Sequence, residues 1–144
     1  MRLEASAVID RPVEEVFAFS TDIGNLALWA GPVTEATQTS EGSLGVGTTS
    51  TRVTQLLGRR FESDYEVTEY QPNSRYVAKT TSGPVPIVET LSFEGSDGGT
   101  KVTIAGELET TGFFKLAEPI LARLTKRQVE NDVATLKDLL EAQA

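Results

Sequence analysis

The sequence of 144 residues contains neither cysteine nor histidine. Without cysteine, the chain forms no disulfide, no thiolate nucleophile and no cysteine-ligated metal site. Without histidine, it lacks the commonest general base and the commonest metal ligand of proteins. Serine–histidine–aspartate triads and ordinary zinc sites are therefore excluded. A carboxylate-only site for magnesium or calcium stays open, but there is no EF-hand spacing, and we expect neither a metal nor a cofactor.

Long apolar runs are also absent, and basic residues are scarce. No segment approaches the roughly 20 apolar residues of a membrane-spanning helix, and the start Met1-Arg2-Leu3-Glu4 lacks the apolar centre of a signal peptide. The formal charge is −8, with 8 basic and 16 acidic side chains in residues 1–111 and 5 of each in residues 112–144. Such an acidic surface repels phosphate groups. We therefore expect a cytoplasmic protein that spans no membrane and binds neither nucleic acid nor, as its main role, anionic membranes.

The order of predicted elements is the most informative feature of the chain. A strand over residues 2–9 is followed by two short helices. Pro12 suits the first turn of the first helix, and Thr21 or Asp22 caps the second. Six further strands are predicted over residues 33–39, 48–57, 61–70, 75–82, 86–94 and 100–110. Because short turns join these strands, the sheet of seven strands is expected to be antiparallel.

A long helix from about residue 113 to residue 142 closes the chain. Its second half carries a regular apolar stripe formed by Val129, Val133, Leu136 and Leu140. Its first half is apolar over a wide arc, and Pro119 interrupts or restarts it. We expect the second half to pack on the sheet and the first half to overhang a less filled space.

Several short motifs accompany this order of elements. They are Pro12-x-x-x-Val16-Phe17, Asp22-x-x-Asn25-x-x-x-Trp29, Gly45-Val46-Gly47, Val67-Thr68-Glu69-Tyr70-Gln71-Pro72, Gly99-Thr100-Lys101-Val102-Thr103 and Leu136-Lys137-x-Leu139. In this order they resemble the START-like superfamily, and within it the bacterial polyketide cyclase/dehydrase-like proteins of the SRPBCC group. The likeness covers essentially the whole chain as a single domain, residues 1–144.

The resemblance implies an α+β protein with the helix-grip (Bet v 1/START-like) fold. In that fold a curved antiparallel sheet of seven strands wraps around the long C-terminal helix, with a cavity between them. Members of the superfamily bind lipids, sterols, polyketides and plant hormones, and some catalyse cyclisation or dehydration or assist chaperones. The motifs belong to the scaffold, so the fold alone does not choose among these functions.

Strand parity identifies Glu89 as a candidate functional residue. Glu89 shares a face with Ile87, Leu91 and Phe93, the apolar face of its strand. A carboxylate there is costly unless it is paired, and burial favours its protonated form, which makes a general acid without histidine. The alternatives are that Glu89 is hydrated at the cavity rim or pairs with Arg52. If both side chains point inward, they form a polar clamp for the carboxylate or hydroxyl group of a ligand.

The other candidate ligand-binding residues are mostly aromatic. Tyr65, Tyr76 and Thr80 point inward by the same parity, and each tyrosine is either a cavity wall with a hydrogen-bonding tip or a plain core residue. Trp29 packs at the junction of helix and strand or flanks an entrance. The start of the long helix supplies either a lid over the cavity or a packed helix end through Phe113, Phe114 and Ile120.

Two further patterns have simpler interpretations. Glu62, Asp64 and Glu66 share one face of their strand, which suggests a metal site but is better interpreted as a solvated outer face that discourages edge pairing. The glycine-rich segment 42–47 lacks the Lys-Ser/Thr ending of a phosphate-binding loop and leads into a strand. We interpret it as a loop beside the cavity mouth.

Three functions fit these residues. The first, favoured because no catalytic constellation stands out, is intracellular binding of a small hydrophobic ligand such as a lipid, polyketide or aromatic compound. The second is a polyketide cyclase or dehydratase in which Glu89 acts as acid or base and Arg52 or a tyrosine steadies an enolate. The third is a protein-interaction module of the chaperone-assisting or ribosome-associated type, which would expose an apolar patch. The ligand and the oligomeric state, monomer or dimer, stay open.

Overall fold

A curled antiparallel sheet and a long helix make up most of the molecule. The structure, a computed structural model, describes residues 1–56 and 58–143, with the side chains of Leu56, Phe113 and Phe114 outside that description. The strands are β1 (Arg2–Ile9), β2 (Val33–Gln38), β3 (Thr49–Leu56), β4 (Arg59–Gln71), β5 (Arg75–Ser82), β6 (Ile87–Ser96) and β7 (Gly99–Leu108). The helices are α1 (Val13–Thr21), a 3₁₀ turn (Ile23–Asn25), α2 (Leu26–Trp29), α3 (Gly112–Leu116) and α4 (Glu118–Ala142).

All strand pairs are antiparallel, as the short turns predict. The order across the sheet is β1-β7-β6-β5-β4-β3-β2, so the first strand of the chain pairs with the last. Helix α4 packs against β1, β7, α1 and α2. A curled sheet closed by a long C-terminal helix is the helix-grip arrangement, and the predicted α+β fold is confirmed.

The helix pair after β1 is positioned by local capping. Pro12 is the N-cap of α1 and thus lies one residue before the first turn, where its missing N–H costs no helical hydrogen bond. The Asp22 side chain accepts a hydrogen bond from the Gly24 N–H at 2.9 Å and caps the 3₁₀ turn. This cap directs the chain into α2, where Leu26 and Trp29 are buried. Trp29 thereby reaches the end of the sheet at which the cavity lies.

The C-terminal helical segment is divided near Pro119, as the sequence predicts. It is interrupted at Ala117, and α4 begins at Glu118 with Pro119 in its first turn. Proline has no N–H for the preceding carbonyl, and its ring clashes with the turn before it, so the helix restarts there. Beyond the middle of α4, the buried residues are Asp132, Val133, Leu136 and Leu140. The second half of the helix therefore packs on the sheet, as the apolar stripe predicts.

The first part of the same segment is much more exposed. Leu116 is 86% exposed and Ile120 is 61% exposed, whereas Leu136 is fully buried. Leu121 is the buried residue in the first turns of α4. The next turn of α4, with Leu124 and Thr125, lines the cavity described below.

The outward face of β4 is polar. Glu62 is exposed, and Asp64 accepts hydrogen bonds from the hydroxyl groups of Thr51 at 2.7 Å and Ser82 at 2.8 Å. Within the described residues, no group of three or more acidic side chains is arranged to hold a metal ion. No helix in the described part of the chain is both long enough and apolar enough to span a membrane.

Candidate functional site

A cavity of about 510 Å³ lies between the sheet and the middle of α4. Its walls come from the α2–β2 connection, from β3, β4, β6 and β7, and from α4. The apolar lining residues are Trp29, Ala30, Pro32, Val33, Ile87, Ile104, Leu108, Leu124 and Val129. The polar ones are Arg52, Thr54, Gln55, Tyr65, Glu89, Thr125, Arg127, Gln128, Asn131 and Asp132, and Gly31 completes the lining. The volume is in the range typical of small-molecule sites.

The sheet register makes room for Arg52 on the inner face. Arg52 of β3 pairs with Ala36 of β2 on one side and with Ser63 of β4 on the other. These small neighbours leave space for the long arginine side chain to lie across the sheet. Arg52 is only 4% exposed, which is rare for arginine unless its charge is paired.

Glu89 has equally small neighbours. It lies on β6 between Ala78 of β5 and Gly106 of β7. Its Oε2 accepts a hydrogen bond from Arg52 Nη1 at 2.6 Å. The side chain of Glu89 is 16% exposed and that of Arg52 is 5% exposed. Three strand steps separate β3 from β6, about 14 Å in a flat sheet. The curl of the sheet and the length of the arginine together close that gap.

Tyr65 lies beneath this ion pair. The guanidinium carbon of Arg52 is 3.9 Å from the centre of the Tyr65 ring, a cation–π contact on the intervening strand β4. Burial by itself lowers the pKa of Arg52, but Glu89, Tyr65 and Tyr76 outweigh it and the pKa is raised. Arg52 therefore keeps its positive charge inside the protein at every physiological pH.

Two buried donors at the cavity lack hydrogen-bond partners among the described residues. They are Trp29 Nε1 and Arg52 Nε. A buried donor without an acceptor costs about 1–3 kcal/mol. Neither nitrogen is open to solvent in this arrangement, so a ligand acceptor would reach it only after a side chain moves. Arg52 Nη2, by contrast, has no acceptor within the described part of the chain and is not closed off from the cavity.

Asp132 is a lining residue that the sequence analysis missed. Its Oδ1 accepts hydrogen bonds from the Gly31 N–H at 2.9 Å and from Gln128 Nε2 at 2.6 Å. Burial raises the pKa of Asp132 to about 6, with Glu89 adding to the shift and the two hydrogen bonds opposing it. The signal was present in the sequence, because Asp132 lies within the buried stripe between Val129 and Leu136.

The candidate residues divide into those at the cavity and those away from it. Trp29, Arg52, Tyr65 and Glu89 line the cavity. Tyr76, Thr80 and Ile120 do not: Tyr76 packs in the core, the Thr80 hydroxyl accepts a hydrogen bond from the Ile87 N–H at 3.0 Å, and Ile120 faces outward. The side chains of Phe113 and Phe114 lie outside the described residues, so the lid expected there stays a prediction.

The tyrosines near the ion pair are neutral hydroxyl groups. Burial raises the pKa of Tyr76 to about 12, and burial also raises the pKa of Tyr65. Both can donate or accept a hydrogen bond at neutral pH, and neither supplies a tyrosinate base. Acid–base chemistry within this site therefore falls to its carboxylates, Glu89 and Asp132.

Comparisons with known proteins agree with the geometry. The family model described as polyketide cyclase / dehydrase and lipid transport matches residues 1–141. No curated protein sequence matches the chain.

Solved structures share the fold at low sequence identity. A Thermus thermophilus protein has a TM-score of 0.87 at 21% identity, over 100% of this chain and 99% of that one. A START superfamily protein from Mycobacterium smegmatis has a TM-score of 0.81 at 11% identity, over 99% of each chain. The Zhui aromatase/cyclase from a Streptomyces species has a TM-score of 0.80 at 13% identity, over 99% of this chain and 94% of that one.

Proposed function

The chain belongs to the polyketide cyclase / dehydrase and lipid transport family, and from that premise we propose that it binds a small hydrophobic ligand between the sheet and α4. The ligand class is a lipid, a polyketide or an aromatic compound. The observation that carries the proposal is the cavity itself, about 510 Å³ with largely apolar walls and a buried ion pair at one side. Apolar walls supply affinity, and a few fixed polar groups orient the ligand.

The ion pair supports binding more directly than catalysis. Arg52 is held by Glu89 and by the Tyr65 ring, so its position is fixed before a ligand arrives. A polar group held in place in advance loses little conformational entropy on binding. Arg52 Nη2, with no acceptor among the described residues, can donate a hydrogen bond to a ligand oxygen.

A variant that fills the cavity tests this proposal. A Cβ built at Gly106 lies 3.7 Å from Leu108 Cδ1, an ordinary contact, so the first atom of a leucine side chain is accommodated there, beside Glu89. We expect Gly106→Leu to weaken binding of an uncharged fluorescent apolar probe such as a naphthol by about tenfold or more. Thr103→Leu, on the outer face of the same strand, is the matched control and should leave the affinity unchanged. Equal affinities in both variants would place the probe outside the cavity and contradict the proposal.

A second candidate function, a cyclase or dehydratase, is favoured by one feature. Glu89 Oε1 accepts no hydrogen bond from the described residues, so it can take a proton from a ligand carbon beside a carbonyl group. Arg52 would then stabilise the enolate oxygen.

Glu89→Gln separates the two functions. For an enzyme, this variant loses turnover of a β-hydroxy ketone, followed by its ultraviolet absorbance, while its affinity for the ketone stays within about threefold. For a carrier, wild type and variant are equally inactive and only affinity changes. If neither protein binds any apolar compound, the third function, a protein-interaction module, takes precedence.

A further inference from the structure

The charged groups that line the cavity away from bulk solvent are Arg52, Glu89 and Asp132. The charge of Arg52 is already matched by Glu89 at 2.6 Å. Asp132 is the second carboxylate, and both groups that donate to it, the Gly31 N–H and the Gln128 amide, are uncharged. Arg127 also lines the cavity, but it is exposed to solvent. The buried groups therefore sum to one unpaired negative charge once Asp132 is ionised.

Asp132 lines the cavity and has one carboxylate oxygen without a hydrogen-bond donor among the described residues. Its Oδ1 accepts both hydrogen bonds, whereas Oδ2 accepts none from the described residues. Asp132 is only 9% exposed. It has no oxygen that is both fully buried and without a hydrogen-bond partner, so Oδ2 keeps some accessible surface. Oδ2 can therefore accept a hydrogen bond from a ligand.

We propose that Asp132 selects the ligand: the cavity takes apolar molecules whose polar group is an uncharged hydroxyl that donates to Asp132, and it rejects carboxylates such as fatty acids. This inference rests on the proposed binding function and narrows its ligand class. A ligand carboxylate beside Asp132 would bring a third negative charge to the cavity, where Arg52 is already paired and Arg127 is exposed to solvent. Like charges a few ångströms apart repel strongly where water is scarce. A hydroxyl group carries no such penalty and offers the hydrogen that Oδ2 lacks.

The environment of Asp132 supports this assignment. Its pKa of about 6 means that the carboxylate predominates at neutral pH and the acid form predominates well below it. The titratable groups that line the same cavity are Arg52, Tyr65, Glu89 and Arg127. The raised pKa values of Arg52 and Tyr65 keep those two groups protonated throughout this range. Asp132 is thus a carboxyl group of the cavity whose charge changes just below neutral pH.

The test compares two probes with the same apolar body, naphthol and naphthoate substituted at the same ring position. Dissociation constants are measured by fluorescence near pH 7.5 for wild type, Asp132→Asn and Glu130→Gln. Asparagine keeps an oxygen for the Gly31 N–H and removes the charge. Glu130→Gln removes one negative charge from an exposed position on the same helix, outside the cavity lining.

We expect wild type to bind naphthol about tenfold more tightly than naphthoate. Asp132→Asn should bring the two affinities to within about threefold by improving naphthoate, and Glu130→Gln should preserve the wild-type ratio. A wild type that binds naphthoate as tightly as naphthol overturns the inference while leaving the binding function intact. Binding of neither probe overturns the binding function, and the inference with it.

A second measurement begins with the wild-type protein and changes the pH. In wild type, lowering the pH from about 7.5 to about 5.5 should protonate most of Asp132 and narrow the preference for naphthol. In Asp132→Asn, the same pH change should have little effect on the ratio of the naphthol and naphthoate dissociation constants. Cooperative unfolding of the variant at both pH values shows that it is folded there. A wild-type ratio that does not change with pH contradicts the role given to Asp132, and so does a change of the ratio that persists in Asp132→Asn.

Discussion

At the scale of single residues, Arg52 and Glu89 define the chemistry of the cavity. Each is placed between small cross-strand neighbours, and the pair stays largely hidden from water. A buried ion pair contributes little net stability, because the cost of removing both charges from water offsets their attraction. Removing one partner is different, because the other charge then stays buried without a counter-ion.

That asymmetry gives the first prediction. Arg52→Met should destabilise the protein by about 3 kcal/mol, because Glu89 is left without its cation. The double variant Arg52→Met/Glu89→Met should recover most of that loss. Urea unfolding of the four proteins in a double-mutant cycle measures the coupling. Additive effects of the two changes would mean that the ion pair does not exist in solution.

The second residue prediction concerns the pH dependence of stability. The Asp132 carboxyl has a pKa of about 6 when folded and an ordinary value of 3.8 when unfolded. Between these values the folded state holds more protons, so stability falls as the pH rises from about 4 to about 6. Asp132→Asn lacks this fall. The free energy of unfolding of Asp132→Asn, relative to that of wild type, should therefore increase by about 1–2 kcal/mol from pH 4 to pH 7. This value includes a reduction for screening by solvent at the cavity. Urea unfolding at both pH values is the measurement, and an unchanged difference would refute the raised pKa.

At the scale of elements, the two halves of α4 have different surroundings. Its second half fills the space above β1 and β7, whereas the first half carries cavity-lining and solvent-facing residues. We expect Leu136→Ala to cost about 2–5 kcal/mol, since Leu136 is fully buried. Ile120→Ala, at a position in the first half of α4 that is 61% exposed, should cost no more than about 0.5 kcal/mol. Equal losses, measured by chemical denaturation, would contradict this division of the helix.

The contact between α4 and the α2–β2 connection depends on a glycine. A Cβ at Gly31 would lie 2.2 Å from Gln128 Nε2, so Gly31→Ala must push the Gln128 amide away from Asp132. The expected result is a shift of the Gln128 side-chain amide resonance and a stability loss of about 1 kcal/mol. Gly45→Ala is the control, because nothing lies within 4 Å of the added Cβ. An unperturbed Gln128 resonance in Gly31→Ala would show that this contact does not form in solution.

At the scale of the whole molecule, the sheet and the helix depend on each other. The inner face of the sheet buries Val67, Leu91 and Val102, and α4 adds Leu136 and Leu140 to the same core. Without α4, that apolar face would meet water.

A chain ending at residue 117 should therefore show no cooperative thermal transition and should bind a hydrophobic dye in excess of the intact protein. Calorimetry and dye fluorescence are the two measurements. A sharp transition in the shortened chain would show that the sheet is stable by itself. The intact chain is the reference in both experiments.

The sequence by itself determined the element order, the seven antiparallel strands and the inward parity of Tyr65 and Glu89. These are local properties, because a period of two and a turn residue act over a few positions. Only the tertiary structure decided that Arg52 points inward and meets Glu89, that Tyr76 stays in the core and that Asp132 joins the site. The physical reason is distance along the chain: sheet curl and helix placement bring together residues on β3, β6 and α4, and no local pattern records how far the sheet bends.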